Sequence, residues 1–189
     1  MKRFEIVEKY KDILDDSYIP SRTTHKSAGY DLRSAENIII PPIWSFHDRM
    51  IDVLQRDLQA EDFDMALDLD EVEEKLNYFG IKPTLVSTGL KCYMEDDEFL
   101  GVYSRSSGSY KYLLSIANGV GIIDADYVDN PNNEGEIFVQ LINLSPFAIE
   151  IKKGDKIGQG IFHKYGYVED DANKDKETRI GGFGSTDNR

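Results

Sequence analysis

A single cysteine, Cys92, stands in this chain of 189 residues. One thiol cannot close an internal disulfide and cannot build a thiolate zinc cluster. Histidine is nearly as scarce: His25, His47 and His163 are scattered without ligand spacing, so a structural transition-metal site is not expected. No apolar run approaches the length needed to cross a bilayer, so no membrane association is expected. The segment Met1-Lys2-Arg3-Phe4-Glu5 turns charged too early for a secretory leader, and the expected location is cytoplasmic. Basic residues are also in short supply. The formal net charge is −13, which argues against general binding of nucleic acid, a function that depends on clustered Lys and Arg. A small phosphorylated ligand needs only a local basic pocket or a divalent cation, and stays compatible with that charge.

What is present is a chain long enough for one domain with a substantial core, 40% hydrophobic, punctuated by six prolines and fifteen glycines. Short β-type runs recur at Glu5-Ile6-Val7, Ile38-Ile39-Ile40, Leu90 to Met94, Phe99 to Tyr103, Ile137 to Leu144, Ile149 to Ile151 and Ile157 to Phe162. Many short strands separated by turn signals predict a mainly β sandwich or jelly roll. The run Glu136 to Ile142 is apolar with one polar interruption, which predicts a strand buried on both faces.

The exception is the stretch from Trp44 to Phe79. Ile51, Leu54 and Leu58 recur at helical spacing, and so do Leu69, Val72, Leu76 and Phe79. Ser45 with Asp48, and Asp68 with Glu71, occupy capping positions, while Gly80 and Pro83 supply a stop. This predicts a helical hairpin inserted over 44–83. The stretch carries eleven acidic residues against three basic ones, a net of −8, and so holds most of the charge excess. It reads as the solvated face of two surface helices, or as a docking surface for a basic protein partner. From residue 166 onward the sequence is polar and aperiodic, which predicts a mobile arm over 166–189 following a β domain over 1–165.

That arm carries Gly182-Phe183-Gly184-Ser185-Thr186-Asp187 behind Arg179. A cation, hydroxyls, a flat ring and glycines form a kit for closing over a phosphorylated, ring-bearing ligand. Four further clusters precede it: Ala28-Gly29-Tyr30-Asp31-Leu32, Tyr103-Ser104-Arg105-Ser106-Ser107-Gly108, Asn118-Gly119-Val120-Gly121-Ile122-Ile123-Asp124-Ala125-Asp126-Tyr127, and Gly154-Asp155-Lys156-Ile157-Gly158-Gln159. Taken singly each is weak, since Ser-rich turns and Asp beside Gly are common turn chemistry. In this order the five resemble the motifs of the trimeric dUTP diphosphatase (dUTPase) family. The stretch Asp129-Asn130-Pro131-Asn132-Asn133-Glu134-Gly135 is similar to the enlarged turn of members from Gram-positive bacteria and their phages.

The resemblance implies a jelly-roll-like dUTPase β-barrel that hydrolyses dUTP to dUMP and pyrophosphate with Mg²⁺, as a homotrimer with shared sites. It implies that Asp124 is the general base for the attacking water. Asn118 and the backbone of Gly121, Ile122 and Ile123 would read uracil, with Phe138 completing that pocket and Tyr127 lying under the deoxyribose. Arg105, Ser106, Ser107 and Gln159 would take phosphates, and Asp31 would hold the metal through water. Arg179, Phe183, Gly184, Ser185 and Thr186 would close over the substrate.

Four features depart from the family pattern. Arg179 precedes Phe183 by four residues where five is usual; Asp187 follows Thr186 where glycine is common; Gly158-Gln159-Gly160 replaces Ala-Gln-aliphatic; and the 44–83 insert lengthens the first connection. Two alternatives remain at this point. A dCTP deaminase, or a bifunctional deaminase-diphosphatase, shares the fold but needs a catalytic Glu where this chain has Gln140. A repressor-binding regulatory protein of phage type would use the acidic insert as its contact.

Overall fold

The computed structural model describes residues 1–43 and 68–169. Regular structure there is mainly strand: β1 (Arg3–Ile6), β2 (Tyr30–Arg33), β3 (Ile38–Ile40), β4 (Thr84–Ser87), β5 (Leu90–Tyr93), β6 (Glu98–Tyr103), β7 (Leu114–Ile116), β8 (Gly121–Asp124), β9 (Phe138–Asn143), β10 (Ile149–Ile151) and β11 (Lys156–Lys164). Two helices interrupt them, α1 (Leu69–Phe79) before β4 and α2 (Ser106–Tyr112) after β6. Every ladder between these strands is antiparallel, in the orders β1-β5, β10-β3, β2-β11-β6-β8 and β4-β9-β7. The expected mainly β architecture is present. The ladders do not close into one barrel but form four sheets around a shared core.

That core follows from period-two alternation. Leu100 and Val102 on β6, Leu32 on β2, Val139 and Leu141 on β9, Val86 on β4 and Ile40 on β3 all turn inward and lose nearly all exposure. A smaller cluster of Val7, Tyr10, Leu14 and Ala35 lies beside it. Burial of such side chains, about 1.5–3 kcal/mol each, is what opposes chain entropy. The expectation for β9 is corrected: Val139, Leu141 and Asn143 are buried, but Phe138, Gln140 and Ile142 are only half-buried. One face of this strand belongs to the core and the other to a cavity, which is why apolar composition alone misread it.

Cys92 is a core residue, with burial pushing its thiol up to about 12. A thiolate is the reactive form. Alkylation at pH 8 should therefore be slow in the native protein, with full modification appearing only in denaturant; rapid native labelling in a mass-spectrometric time course would contradict this burial.

The second helix of the expected hairpin exists as α1. Asp68 caps it, accepting from the Glu71 backbone N–H at 2.9 Å, while Glu71 Oε2 accepts from the Asp68 N–H at 3.0 Å. This reciprocal box satisfies two of the orphan donors at the helix start. The helix ends at Gly80 in a left-handed conformation, φ 67°. The first helix of the hairpin lies outside the described residues. Among the described residues no helix is long and apolar enough to cross a membrane.

Candidate active site

The turn joining β7 to β8 brings the third sequence cluster together. Ala117 N–H donates to the Gln140 carbonyl at 2.9 Å and Gly119 N–H to that of Ile116 at 3.1 Å, so this turn, which carries the chain from the β4-β9-β7 sheet to the edge of the β2-β11-β6-β8 sheet, is tied to β9. Between the turn, β8 and β9 lies a cavity of about 170 Å³. Asn118, Gly121, Ile122, Ile123, Tyr127 and Phe138, six of the residues expected for a base and sugar, line it. Val102, Ile116, Glu136 and Gln140 complete the wall. These four were not singled out as pocket residues in the sequence. Phe138 and Gln140 are alternate half-buried positions of β9, and Glu136, which is buried, shares their parity just before the strand.

Asp124 ends β8 and leads directly into a short 3₁₀ turn over Ala125–Tyr127. That turn brings Tyr127 back against the cavity, where it is buried. Glu136 is buried too, and burial raises its carboxyl while the Ser87 hydroxyl donates to it. Its carboxylate is thus committed to an internal partner.

A second cluster forms where the first, second and fourth motifs meet. Asp31 Oδ1 accepts from Arg105 Nε at 3.0 Å, and its Oδ2 from Lys156 Nζ at 2.5 Å. Burial pushes this carboxyl up, but the Lys156 hydrogen bond and the Arg105 charge outweigh it and hold it below the ordinary Asp range. Gln159 Nε2 donates to the Ser104 carbonyl at 3.2 Å, and Ser104 Oγ accepts from the Ile116 N–H at 3.1 Å. Gly29 lies close beside it: a Cβ there would come within 2.5 Å of Gln159 Oε1, so a larger residue would displace that amide. Ser106 is exposed at the start of α2, and Ser107 Oγ lies 3.4 Å from Arg105 Nη1. The groove alongside, about 590 Å³, is bordered by Arg33, Arg105, Ser107, Lys111, Asp155 and Lys156. Lys156 is a cation the sequence reading passed over, although it sits inside a motif that was noticed. Its partner is 125 residues away, so nothing local marks it.

The two clusters share one sheet face but not one place. Gln159 pairs with Asp31 on one side and Tyr103 on the other, whereas Asp124 pairs with Phe99. Tyr103 and Phe99 are four residues apart, about 13 Å along the strand, and β2 is three strands from β8, about 14 Å across. Asp31 and Asp124 are therefore roughly 19 Å apart within one chain. Arg179, Phe183, Gly184, Ser185 and Thr186 lie outside the described residues.

The class so defined is a mainly β, jelly-roll-like protein with a small recess between β8 and β9, together with a separate cluster of cations and hydroxyls suited to phosphate oxygens. A family model described as dUTPase matches residues 58–187. Over 186 residues the chain is 36% identical to the deoxyuridine 5′-triphosphate nucleotidohydrolase of Lactococcus lactis, covering 98% of this chain and 97% of that protein. It is 30% identical to the crystal structure of dUTPase from Streptococcus mutans, with a TM-score of 0.64 over 88% of this chain and 98% of that one. The dUTPase from phage phi11 of S. aureus, at 16% identity and a TM-score of 0.55 over 98% and 99% of the two chains, shares the fold. The chain belongs to the dUTPase family.

Proposed function

We propose that this chain hydrolyses dUTP to dUMP and pyrophosphate, with Mg²⁺, in sites shared between the copies of a homotrimer. The observation that carries the reading is the single cavity on which Asn118, the Gly121–Ile123 backbone, Tyr127 and Phe138 converge. The edge strand β8 offers backbone donors and acceptors to a planar base, and an aromatic face close under the sugar leaves no room for a 2′-hydroxyl.

Asp124, at the end of β8, would hold a water and take its proton as that water attacks the α-phosphorus. Arg105, Ser106, Ser107 and Gln159 bind phosphate oxygens, with Lys156 as a further cation, and stabilise charge on the departing pyrophosphate. Among the described residues no group of three or more metal-ligating side chains exists. This fits Mg²⁺ that arrives with the triphosphate, because such an ion keeps waters, takes phosphate oxygens directly and needs few carboxylates. Asp31 is the carboxylate in the cationic cluster, and would hold the ion through water. When bound, Mg²⁺ supplies charge neutralisation at the phosphates. Arg179, Phe183, Gly184, Ser185 and Thr186 would close over the substrate and exclude bulk water.

Because Asp31 and Asp124 stand about 19 Å apart on one sheet face, neither a metal–water bridge nor a water-to-phosphorus contact joins them within a chain. A cyclic trimer removes the difficulty by setting the base of one copy against the phosphate cluster of its neighbour. A monomer at micromolar concentration by light scattering would overturn this part of the reading. Deamination is disfavoured because Gln140 lies on the cavity wall and an amide cannot shuttle the proton that reaction needs.

The direct test is pyrophosphate release with Mg²⁺ from dUTP, dTTP, dCTP and UTP at equal concentration. Release from dUTP alone is the expected result; equal release from UTP would remove Tyr127 as a sugar filter, and ammonia from dCTP would restore the deaminase.

A further inference from the structure

The turn between Tyr127 and β9 is longer than a simple reversal needs, and its hydrogen bonds converge on Tyr127. Asn130, 5% exposed, donates from Nδ2 to the Tyr127 carbonyl at 2.8 Å. Asn133 donates from Nδ2 to the Tyr127 hydroxyl oxygen at 2.7 Å, and that hydroxyl donates onward to the Glu136 carbonyl at 3.2 Å. Both amides are then anchored through their oxygens. Asn133 Oδ1 accepts from Asn130 Nδ2 at 2.7 Å and from the Gly135 N–H at 3.2 Å, and Asn130 Oδ1 accepts from the N–H groups of Asn132 and Asn133.

The turn is itself clamped from outside. Lys91 Nζ bridges Asp129 Oδ1 at 2.5 Å and Glu134 Oε1 at 2.8 Å, and the Tyr93 hydroxyl donates to Asp129 Oδ2 at 2.7 Å. Asp129 and Glu134 both take positive φ, 56° and 62°, which a non-glycine residue adopts only when its surroundings hold it there. Gly135, φ 80°, presses on the same backbone: a Cβ there would lie 2.6 Å from Val128 Cα and 2.7 Å from the Tyr127 carbonyl oxygen. Two anchored amides, one of them buried, a lysine bridge and three left-handed residues are gathered around one tyrosine.

We infer that Asn133 is a specificity-determining positioning residue, which by holding the Tyr127 hydroxyl fixes the ring that separates deoxyribose from ribose. The inference rests on the proposed role of Tyr127 and deepens it. A ring tethered only by packing can tilt about its side-chain torsions and admit a 2′-hydroxyl; a ring tethered at its far end by two hydrogen bonds cannot. The residue acts on discrimination and not on the chemical step, since Tyr127 lines the cavity and Asn133, which holds its hydroxyl, does not.

The experiment compares kcat/KM for dUTP and UTP in Asn133→Ala, Tyr127→Phe, the double variant and Tyr127→Ala, with thermal melting of each. Asn133→Ala should lower the dUTP/UTP ratio about tenfold, the worth of one hydrogen bond near its upper range, through a gain on UTP and with kcat on dUTP held within about threefold. Tyr127→Phe, which removes the bond to the Glu136 carbonyl as well, should lower that ratio at least as far, and adding Asn133→Ala to it should lower the ratio no further, because the Asn133 bond to the hydroxyl is already gone. An unchanged ratio in folded Asn133→Ala overturns the inference. If that variant fails to fold, Tyr127→Phe decides alone, and an unchanged ratio there overturns it equally. Tyr127→Ala separates the two levels: if it leaves the ratio intact, the sugar-filter reading has failed; if it collapses the ratio while Tyr127→Phe does not, only the tether has.

Discussion

Asp124→Asn should reduce pyrophosphate release from dUTP by about 1,000-fold while leaving nucleotide binding close to that of the parent, because a positioned general base contributes on the order of 10²–10⁴. The substitution is nearly isosteric. Asp124 closes β8 and starts the 3₁₀ turn with extended backbone, φ −75° and ψ 157°, which Asn adopts as readily. The cavity walls on either side of it therefore stay in place, and calorimetric titration with dUTP should still show saturable binding. What is lost is the capacity to accept the water's proton, since an amide oxygen is far less basic than a carboxylate. Hydrolysis retained at more than about a tenth of the parent rate would take Asp124 out of the role of base.

The second large effect concerns assembly. Arg105→Ala removes the guanidinium that meets both Asp31 and Ser107, and should lower kcat about 100-fold through lost charge stabilisation at the phosphates. Taken alone, Arg105→Ala and Asp124→Asn are both nearly inactive. Mixed by co-refolding in equal amounts, they should recover about a quarter of the parent activity, because a shared site draws each half from a different copy and random association supplies both intact halves one time in four. The physical basis is the register of the four-stranded sheet, which puts the two halves at opposite ends of neighbouring strands. A mixture as inactive as its components, with exchange verified by differently tagged chains, would mean that each copy builds its own site and that the sheet face has been misread.

Local sequence carried some of this fold and not the rest. The α1 helix was legible because its information is local: Leu69, Val72 and Leu76 follow the helical repeat, Asp68 and Glu71 form the box, and Gly80 stops it. The strands β3, β6, β10 and β11 were legible from short β-type runs. By contrast β4, β7 and β8 were not among those runs, and exist because β9 and β6 supply partners. The α2 helix covers Ser106-Ser107-Gly108-Ser109, a composition that reads as a turn, so its helical form over 106–112 was not foreseen.

The site divides in the same manner. The chemical inventory proposed for it, namely the carboxylates Asp31 and Asp124, the Arg105-Ser106-Ser107 group, Asn118, Tyr127 and Gln159, was set out in the sequence in recognisable order, because side-chain chemistry and glycine placement are properties of residues and their near neighbours. The sequence by itself thus determined the family and the reagents. Tertiary structure decided their arrangement: that Lys156 reaches Asp31 across 125 residues, that Arg105 reaches it across 74, that the turn at Asn130 and Asn133 grips Tyr127, and that the two halves of the site stand apart on one sheet face. Strand order and register arise from pairing between distant segments, whose energies depend on the assembled core and not on any local pattern.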